Sequence, residues 1–135
     1  EKRIGIAISD ALGITAQGLK TIHLKKPEDF YHKVVEVINE KKVQKLVIGL
    51  PKNMNGSLGF QAKKVQEQGH KLSSMTGLPL VFEDERLTTM TAERVLIQAD
   101  QSRAKRKKNI DKLSAVIILQ SYLDRENRTK SRGLS

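Results

Sequence analysis

Two short apolar runs constrain the fold of this chain more than any other feature of its sequence. Residues 45–49 and residues 80–82 are almost continuously apolar, and each run follows a helical pattern and precedes a polar segment. Strands that are buried on both faces of a parallel sheet have this pattern, and the first run should lie centrally. Because loops gather at the carboxyl ends of such strands, we expect functional residues directly after the two runs.

The segments around these runs predict an α/β protein. Isoleucines alternate with small residues between Arg3 and Ser9, which is typical of a strand. A second extended segment over residues 18–24 would complete an antiparallel hairpin. Helices are predicted to begin near Pro27, Gly59, Thr88 and Asn109, and the last of them should end near Leu123. Together these elements indicate a mixed central β-sheet flanked by helices.

Positive charge is concentrated near the C-terminal end. The formal net charge is +10, and residues 101–135 carry ten of the 25 basic side chains but only three of the 15 acidic ones. A one-sided basic excess is typical of nucleic-acid binding, because each neutralised phosphate releases condensed counterions. A tail that only raises solubility is the alternative. We expect one domain over residues 1–123 and a basic polar tail over residues 124–135.

Composition also limits the cellular compartment we expect for the protein and the kinds of metal site and nucleophile that it can supply. No run approaches the roughly 20 apolar residues of a membrane span and no signal peptide is visible, so we expect a soluble, cytoplasmic protein. With no cysteine, thiolate metal sites and thiolate catalysis are excluded. The three histidines lack metal-ligand spacing, and no GxSxG nucleophile or GxxxxGK[ST] loop is present. Any metal should therefore be held by oxygen or imidazole ligands.

Three adjacent acids, Glu83, Asp84 and Glu85, stand where the second apolar run ends, and Arg86 follows them. Since side chains alternate along an extended chain, Glu83 and Glu85 should point to one side and Asp84 to the other. Carboxylates are preferred ligands of Mg²⁺, and paired ions can assist both the attacking and the leaving oxygen in phosphodiester cleavage. A solvated acidic turn paired with lysine explains the run equally well.

Asp111 is the second acidic candidate, and it is the one acid between Gln101 and Leu123. A carboxylate in the first turn of a helix is favoured by the helix dipole, so a structural role is also available. Five of the six residues at 103–108 are basic. Such a run repels itself until a polyanion binds, although a solvated loop is the alternative. The loop at 51–59 precedes a helix, whose first backbone amides can hold phosphate.

These motifs resemble those of the YqgF/RuvX family, bacterial proteins with an RNase H-like fold. Its members are described as precursor 16S rRNA nucleases and were earlier regarded as Holliday junction resolvases. The resemblance covers nearly the whole chain, at Lys2–Asp10, Ile14–Gln17, Val47–Gly56, Asp84–Thr89, Ser102–Lys108, Asp111–Ala115 and Ile118–Asp124. It implies that the predicted strands and helices form an RNase H-like domain.

The resemblance further implies a metal-dependent endonuclease in ribosomal RNA maturation. Glu85 and Asp111 match the positions of catalytic acids, which would hold Mg²⁺ or Mn²⁺. The substrate-binding side chains would be Lys52, Asn53, Arg86 and Thr88 together with Arg103, Lys105, Arg106, Lys107 and Lys108 of the basic run. The expected partner is nucleic acid, an rRNA precursor in preference to junction DNA, with ribosomal assembly intermediates as further partners.

One catalytic acid of the family has no counterpart in this sequence. It is an Asp on a strand that precedes the segment matching Lys2–Gly5, and the chain begins after that strand. We expect that a strand's length of roughly ten residues is absent through truncation or disorder. The chain as it stands would be inactive if this Asp were truly lacking.

Two alternatives to an rRNA nuclease stay open at this point. A Holliday junction resolvase would act on four-way DNA and would need a symmetric dimer that presents two sites. A non-catalytic RNA-binding factor would use the same basic surface in ribosome assembly, and the lacking Asp favours it. Divalent-metal binding near Glu85 would distinguish an enzyme from such a factor.

Overall fold

Strands and helices follow one another along the chain in the predicted order. The computed structural model describes residues 2–51, 58–84 and 103–133, with side chains at 3–51, 58–84 and 112–129. The elements are β1 (Lys2–Ser9), β2 (Ala16–Leu24), α1 (Asp29–Lys41), β3 (Leu46–Leu50), α2 (Phe60–Thr76), β4 (Leu80–Asp84) and α3 (Arg103–Gly133). The α/β class is confirmed. The helix predicted after Thr88 lies outside the described residues.

The bounds predicted for the last helix are wrong at both ends. The helix begins at Arg103 rather than near Asn109, and it continues to Gly133, ten residues beyond Leu123. Lysine and arginine are good helix formers, so a basic segment next to a helix can extend it by several residues. Residues 124–133, which were predicted to belong to a basic polar tail, are therefore helical, while the domain boundary at residue 123 stays a prediction.

The described elements divide into two compact units. One holds α1, β3, α2 and β4, and the other holds most of the β1–β2 hairpin together with α3. In the first unit, β3 and β4 are parallel neighbours, as the two apolar runs predict. Ile38, Leu46 and Leu72 form its buried cluster, with Phe30, Tyr31, Val34, Val35, Val43, Leu78 and Leu80 packed against it.

Burial of β3 is less complete than its apolar run suggests. Leu46 and Leu50 are buried at its ends, whereas Val47 and Ile48 are partly exposed. Among the described strands, β3 is hydrogen-bonded to β4 alone, so its predicted central position is not seen within these residues. The parallel pair nevertheless aligns the carboxyl ends of both strands.

Gly69 lets α2 approach this pair closely. A β-carbon placed on Gly69 would lie 2.9 Å from Cζ of Phe82 and 3.1 Å from Cδ1 of Ile48. Phe82 belongs to β4 and Ile48 to β3, so one glycine sets the separation between the helix and both strands. His70 also contacts the Phe82 ring edge-on, with centroids 5.6 Å apart.

Replacing Gly69 with valine is expected to lower the free energy of unfolding by about 1–3 kcal/mol, because the added carbons overpack the helix–sheet contact. Chemical denaturation measures this change. Ser74→Val is the matched control, since Ser74 is exposed on the same helix and the change introduces the same β-branched side chain. Equal stabilities of the two variants would contradict the close approach at Gly69.

In the second unit, β1 and β2 are joined by a turn at residues 10–15. A parallel pair needs a crossover of a dozen or more residues, so this short connection makes the hairpin antiparallel, as predicted. The Asp10 carboxylate accepts hydrogen bonds from the backbone N–H groups of Ile14 (2.7 Å) and Thr15 (3.2 Å). These bonds hold the pKa of the Asp10 carboxyl below its usual value, and the bond from Ile14 has the largest effect.

Polar side chains of α3 hold this turn against the helix. Oε1 of Gln120 accepts a hydrogen bond from the backbone N–H of Ala16, and its Nε2 donates to the carbonyl oxygen of Ile14, both at 2.8 Å. Nδ2 of Asn127 donates to the carbonyl oxygen of Gly13 at 3.1 Å. One face of α3 is thereby fixed to the hairpin.

Candidate nucleic-acid processing site

The carboxyl ends of β3 and β4 lie side by side. Gly49 pairs with Glu83 and Leu50 pairs with Asp84 in the parallel register. Strand β3 ends at Leu50, just before the segment 51–59, and β4 ends at Asp84, the second of the three adjacent acids. The predicted alignment of the two strand ends is confirmed, and the roles of the segments that follow them stay predictions.

Glu83 and Asp84 differ sharply in exposure. Glu83 is only 6% exposed and is the one buried charged side chain among the described residues, whereas Asp84 is exposed. The register partner of Glu83 in β3 is Gly49, which has no side chain. The predicted alternation of these two acids is thus confirmed. The sequence did not predict that Glu83 is the buried one of the two acids, because alternation alone does not say which side of a strand is buried.

Five residues predicted for the site lie outside the described residues. They are Lys52 and Asn53 of the loop, and Glu85, Arg86 and Thr88 after β4. The roles of all five stay predictions.

The basic run and Asp111 belong to one helix. Residues 103–108 form the first turns of α3 rather than a loop, which corrects the prediction that the run precedes the helix. Asp111 is therefore the ninth residue of α3, and no acid stands in the first turn. Dipole stabilisation falls off within that first turn. The structural explanation for an acid at this position is accordingly weaker than the sequence suggested.

The helical positions of α3 separate into two faces. Ile118 and Tyr122, seven and eleven residues after Asp111, fall on nearly the same line along the helix as Asp111. Both are buried, at 8% and 5% exposed. Gln120, nine residues after Asp111, falls on the opposite side and contacts the hairpin turn. Position 111 therefore lies on the same side of the helix axis as Ile118 and Tyr122, and its side chain is outside the described set.

Helix α2 begins at Phe60, and Gly59 occupies its N-cap position in an extended conformation. As a glycine, this residue has no side chain that could cap the first turn. The first turn of α2 contains no acid, and Lys63 is exposed there. This end of α2 is compatible with the phosphate contact that the sequence predicts.

Metal ligation is not visible among the described side chains. No three His, Asp or Glu residues within the described set are grouped as a metal site would need, and the carboxylates of Glu85 and Asp111 are not part of that set. His32 lies at the surface 3.9 Å from Glu36, and His70 packs on Phe82. For these two histidines, the predicted surface and structural roles are confirmed.

Comparison with known proteins identifies the class. The family described as "RuvX: Holliday junction resolvase" matches residues 1–125. An α/β fold with an acidic sheet edge, a basic helix and this match define a nuclease of the RNase H-like class. The chain belongs to the RuvX family.

Relatives of high identity cover most of the chain. A protein from Listeria monocytogenes serotype 4b (strain CLIP80459) is 53% identical over 93% of both chains. Another from Streptococcus sanguinis (strain SK36) is 54% identical over 92% of this chain and 91% of its own. A third, from Caldanaerobacter subterraneus subsp. tengcongensis, is 52% identical over 96% and 94%. All three are named "Putative pre-16S rRNA nuclease".

In the described parts of the chain, no helix combines the length and apolar character that crossing a bilayer requires.

Proposed function

We propose that this protein is a metal-dependent endonuclease that matures the 5′ end of precursor 16S rRNA. The observation that carries the proposal is the β3–β4 register, which aligns the acidic run with the start of the 51–59 loop at one sheet edge. The similarity to relatives named as pre-16S rRNA nucleases supports the choice of substrate.

Glu85 and Asp111 are the proposed catalytic acids. Both belong to motifs that match the family, and a donor set of carboxylates suits hard cations such as Mg²⁺ or Mn²⁺. Such ions, when bound, would assist the attacking water and stabilise the leaving oxygen. The two carboxylates would hold them, and Arg86 would orient Glu85 or contact the scissile phosphate.

Basic and polar side chains would bind the RNA backbone. Lys52, Asn53 and Thr88 would contact the strand near the cut. The basic run at 103–108 would bind phosphates further along, with counterion release as the driving force. Cytoplasmic location and association with ribosomal assembly intermediates are part of the same proposal, because the substrate is made and processed there.

A second candidate is cleavage of four-way DNA junctions. The description of the matching family favours it. A resolvase cuts two strands symmetrically and needs two sites related by a dyad, so this candidate requires a dimer of the protein.

A cleavage assay of the full-length protein on precursor 16S rRNA and on junction DNA tests the proposal. We expect cutting of the rRNA with Mn²⁺ or Mg²⁺ and none after chelation, since the carboxylates alone supply no nucleophile. Cutting of junction DNA alone would support the second candidate. Tight RNA binding without any cutting would contradict the nuclease proposal and support a ribosome assembly factor.

A further inference from the structure

An aromatic side chain stands almost fully in solvent beside the proposed site. Phe60 is the first residue of α2 and is 85% exposed, the most exposed of the large hydrophobic side chains in the described residues. It immediately follows the loop at 51–59 that is proposed to bind substrate. The buried residues of α2, Ala62, Gly69 and Leu72, lie on the other side of the helix. Phe60 therefore contributes nothing to the core that α2 covers.

Two lysine side chains lie on the same face of α2 as this ring. Lys63 and Lys64 stand three and four residues after Phe60, so they share its face of the helix, and both are exposed. Neither lysine has a salt bridge to an acid in the part of the chain that the structure describes. The first acid on the face is Glu67, nearly two turns further on.

Further along the same face of α2, a lysine makes a cation–π contact with an aromatic ring. Lys71, three turns after Phe60, holds its Nζ 4.4 Å from the centroid of the Tyr31 ring of α1. Phe60 has no such partner among the described residues. The ring at the start of α2 is thus the one whose face is open to a ligand, with cations beside it.

We propose that Phe60, Lys63 and Lys64 bind an unpaired stretch of the nucleic-acid substrate, with a base stacked on the Phe60 ring and its phosphates beside the lysines. Aromatic side chains bind single strands in this way, because every base presents a π-face. In a duplex the bases are stacked on one another, so a paired substrate would leave the ring without a partner. A protein partner with an apolar surface fits less well, because lysines occupy the positions next to the ring.

This inference rests on the proposed nucleic-acid function, and a binding measurement without metal tests it apart from cleavage. The probe is a fluorescently labelled single-stranded RNA of about 12 nucleotides, compared with an RNA duplex of the same length. Phe60→Ala is expected to weaken single-strand binding by about five- to a hundredfold and to change duplex binding little. Phe60→Trp should retain the affinity, and Phe60→Leu should be nearly as weak as Phe60→Ala.

Two controls define the outcome. Met75→Ala removes an exposed side chain near the other end of α2 and should bind as the unchanged protein does. An oligonucleotide of abasic sites should bind the protein and Phe60→Ala equally, which isolates the ring–base contact. Unchanged binding by Phe60→Ala, or full affinity of Phe60→Leu, would overturn the inference. If the protein binds through Phe60 yet cuts no RNA, the proposed function fails and the stacking site stands.

Discussion

Replacing Glu85 with glutamine is expected to lower metal-dependent cleavage of precursor 16S rRNA by at least about a thousandfold, or about 4 kcal/mol of transition-state stabilisation. An amide keeps the size of the side chain but loses the negative charge that a hard cation requires. Affinity for the RNA should change little, because the basic residues supply the binding. Single-turnover cleavage measures the first effect, and binding in the presence of chelator measures the second.

Asp84→Asn is the matched control for this prediction. Asp84 is the adjacent acid, carries the same charge and is exposed on the opposite side of the strand from Glu83. Its substitution should leave the cleavage rate within a fewfold of the unchanged protein. Equal losses in the two variants would mean that the acidic run acts through its overall charge, and normal cutting by Glu85→Gln would refute its assignment.

Neutralising Lys107 and Lys108 together is expected to weaken RNA binding by about ten- to a hundredfold at low salt. On the helix these positions stand four and three residues before Asp111, so they share its face. If both contact phosphate, the salt dependence of log K should become shallower by roughly 1.5 to 2. Titrations of the Lys107→Gln, Lys108→Gln double variant at several salt concentrations measure both quantities.

The helix supplies a control of equal charge. Lys105 and Arg106 belong to the same run, but their positions, six and five residues before Asp111, lie on a different side of the helix from position 111. Lys105→Gln with Arg106→Gln removes the same two charges and should weaken binding much less. Equal effects would show that the run attracts RNA without a preferred face, and the proposed path of RNA past Asp111 would then be wrong.

Much of the fold was predictable because each element has a strong local signature. The continuous apolar runs identified β3 and β4, and the alternation of isoleucine with small residues identified β1. The ends of α3 were not predictable in this way. Hydrophobic periodicity stops where side chains become polar, whereas a helix continues as long as its backbone bonds and its residue propensities support it.

The sequence predicted which residue types form the candidate site better than it predicted their burial and contacts. Spacing at strand ends pointed to the acidic run, and the register of β3 with β4 confirms that both strand ends meet. The burial of Glu83 is a result of tertiary packing, which no local pattern reveals. The exposure of Phe60 was not predictable for a related reason. The sequence does not show whether an aromatic residue at a helix start packs into the core, because that depends on tertiary packing.

The side-chain amide of Gln120 helps to set the rotation of α3 against the hairpin turn. Gln120 engages both the N–H of Ala16 and the carbonyl of Ile14, and its Nε2 also donates to Asp124 at 2.9 Å. Turning the helix about its long axis would break the first two bonds at once, so these bonds oppose such a rotation. A neutral side chain two and a half turns from position 111 thus ties the rotation of the helix that carries this proposed catalytic acid to the hairpin turn.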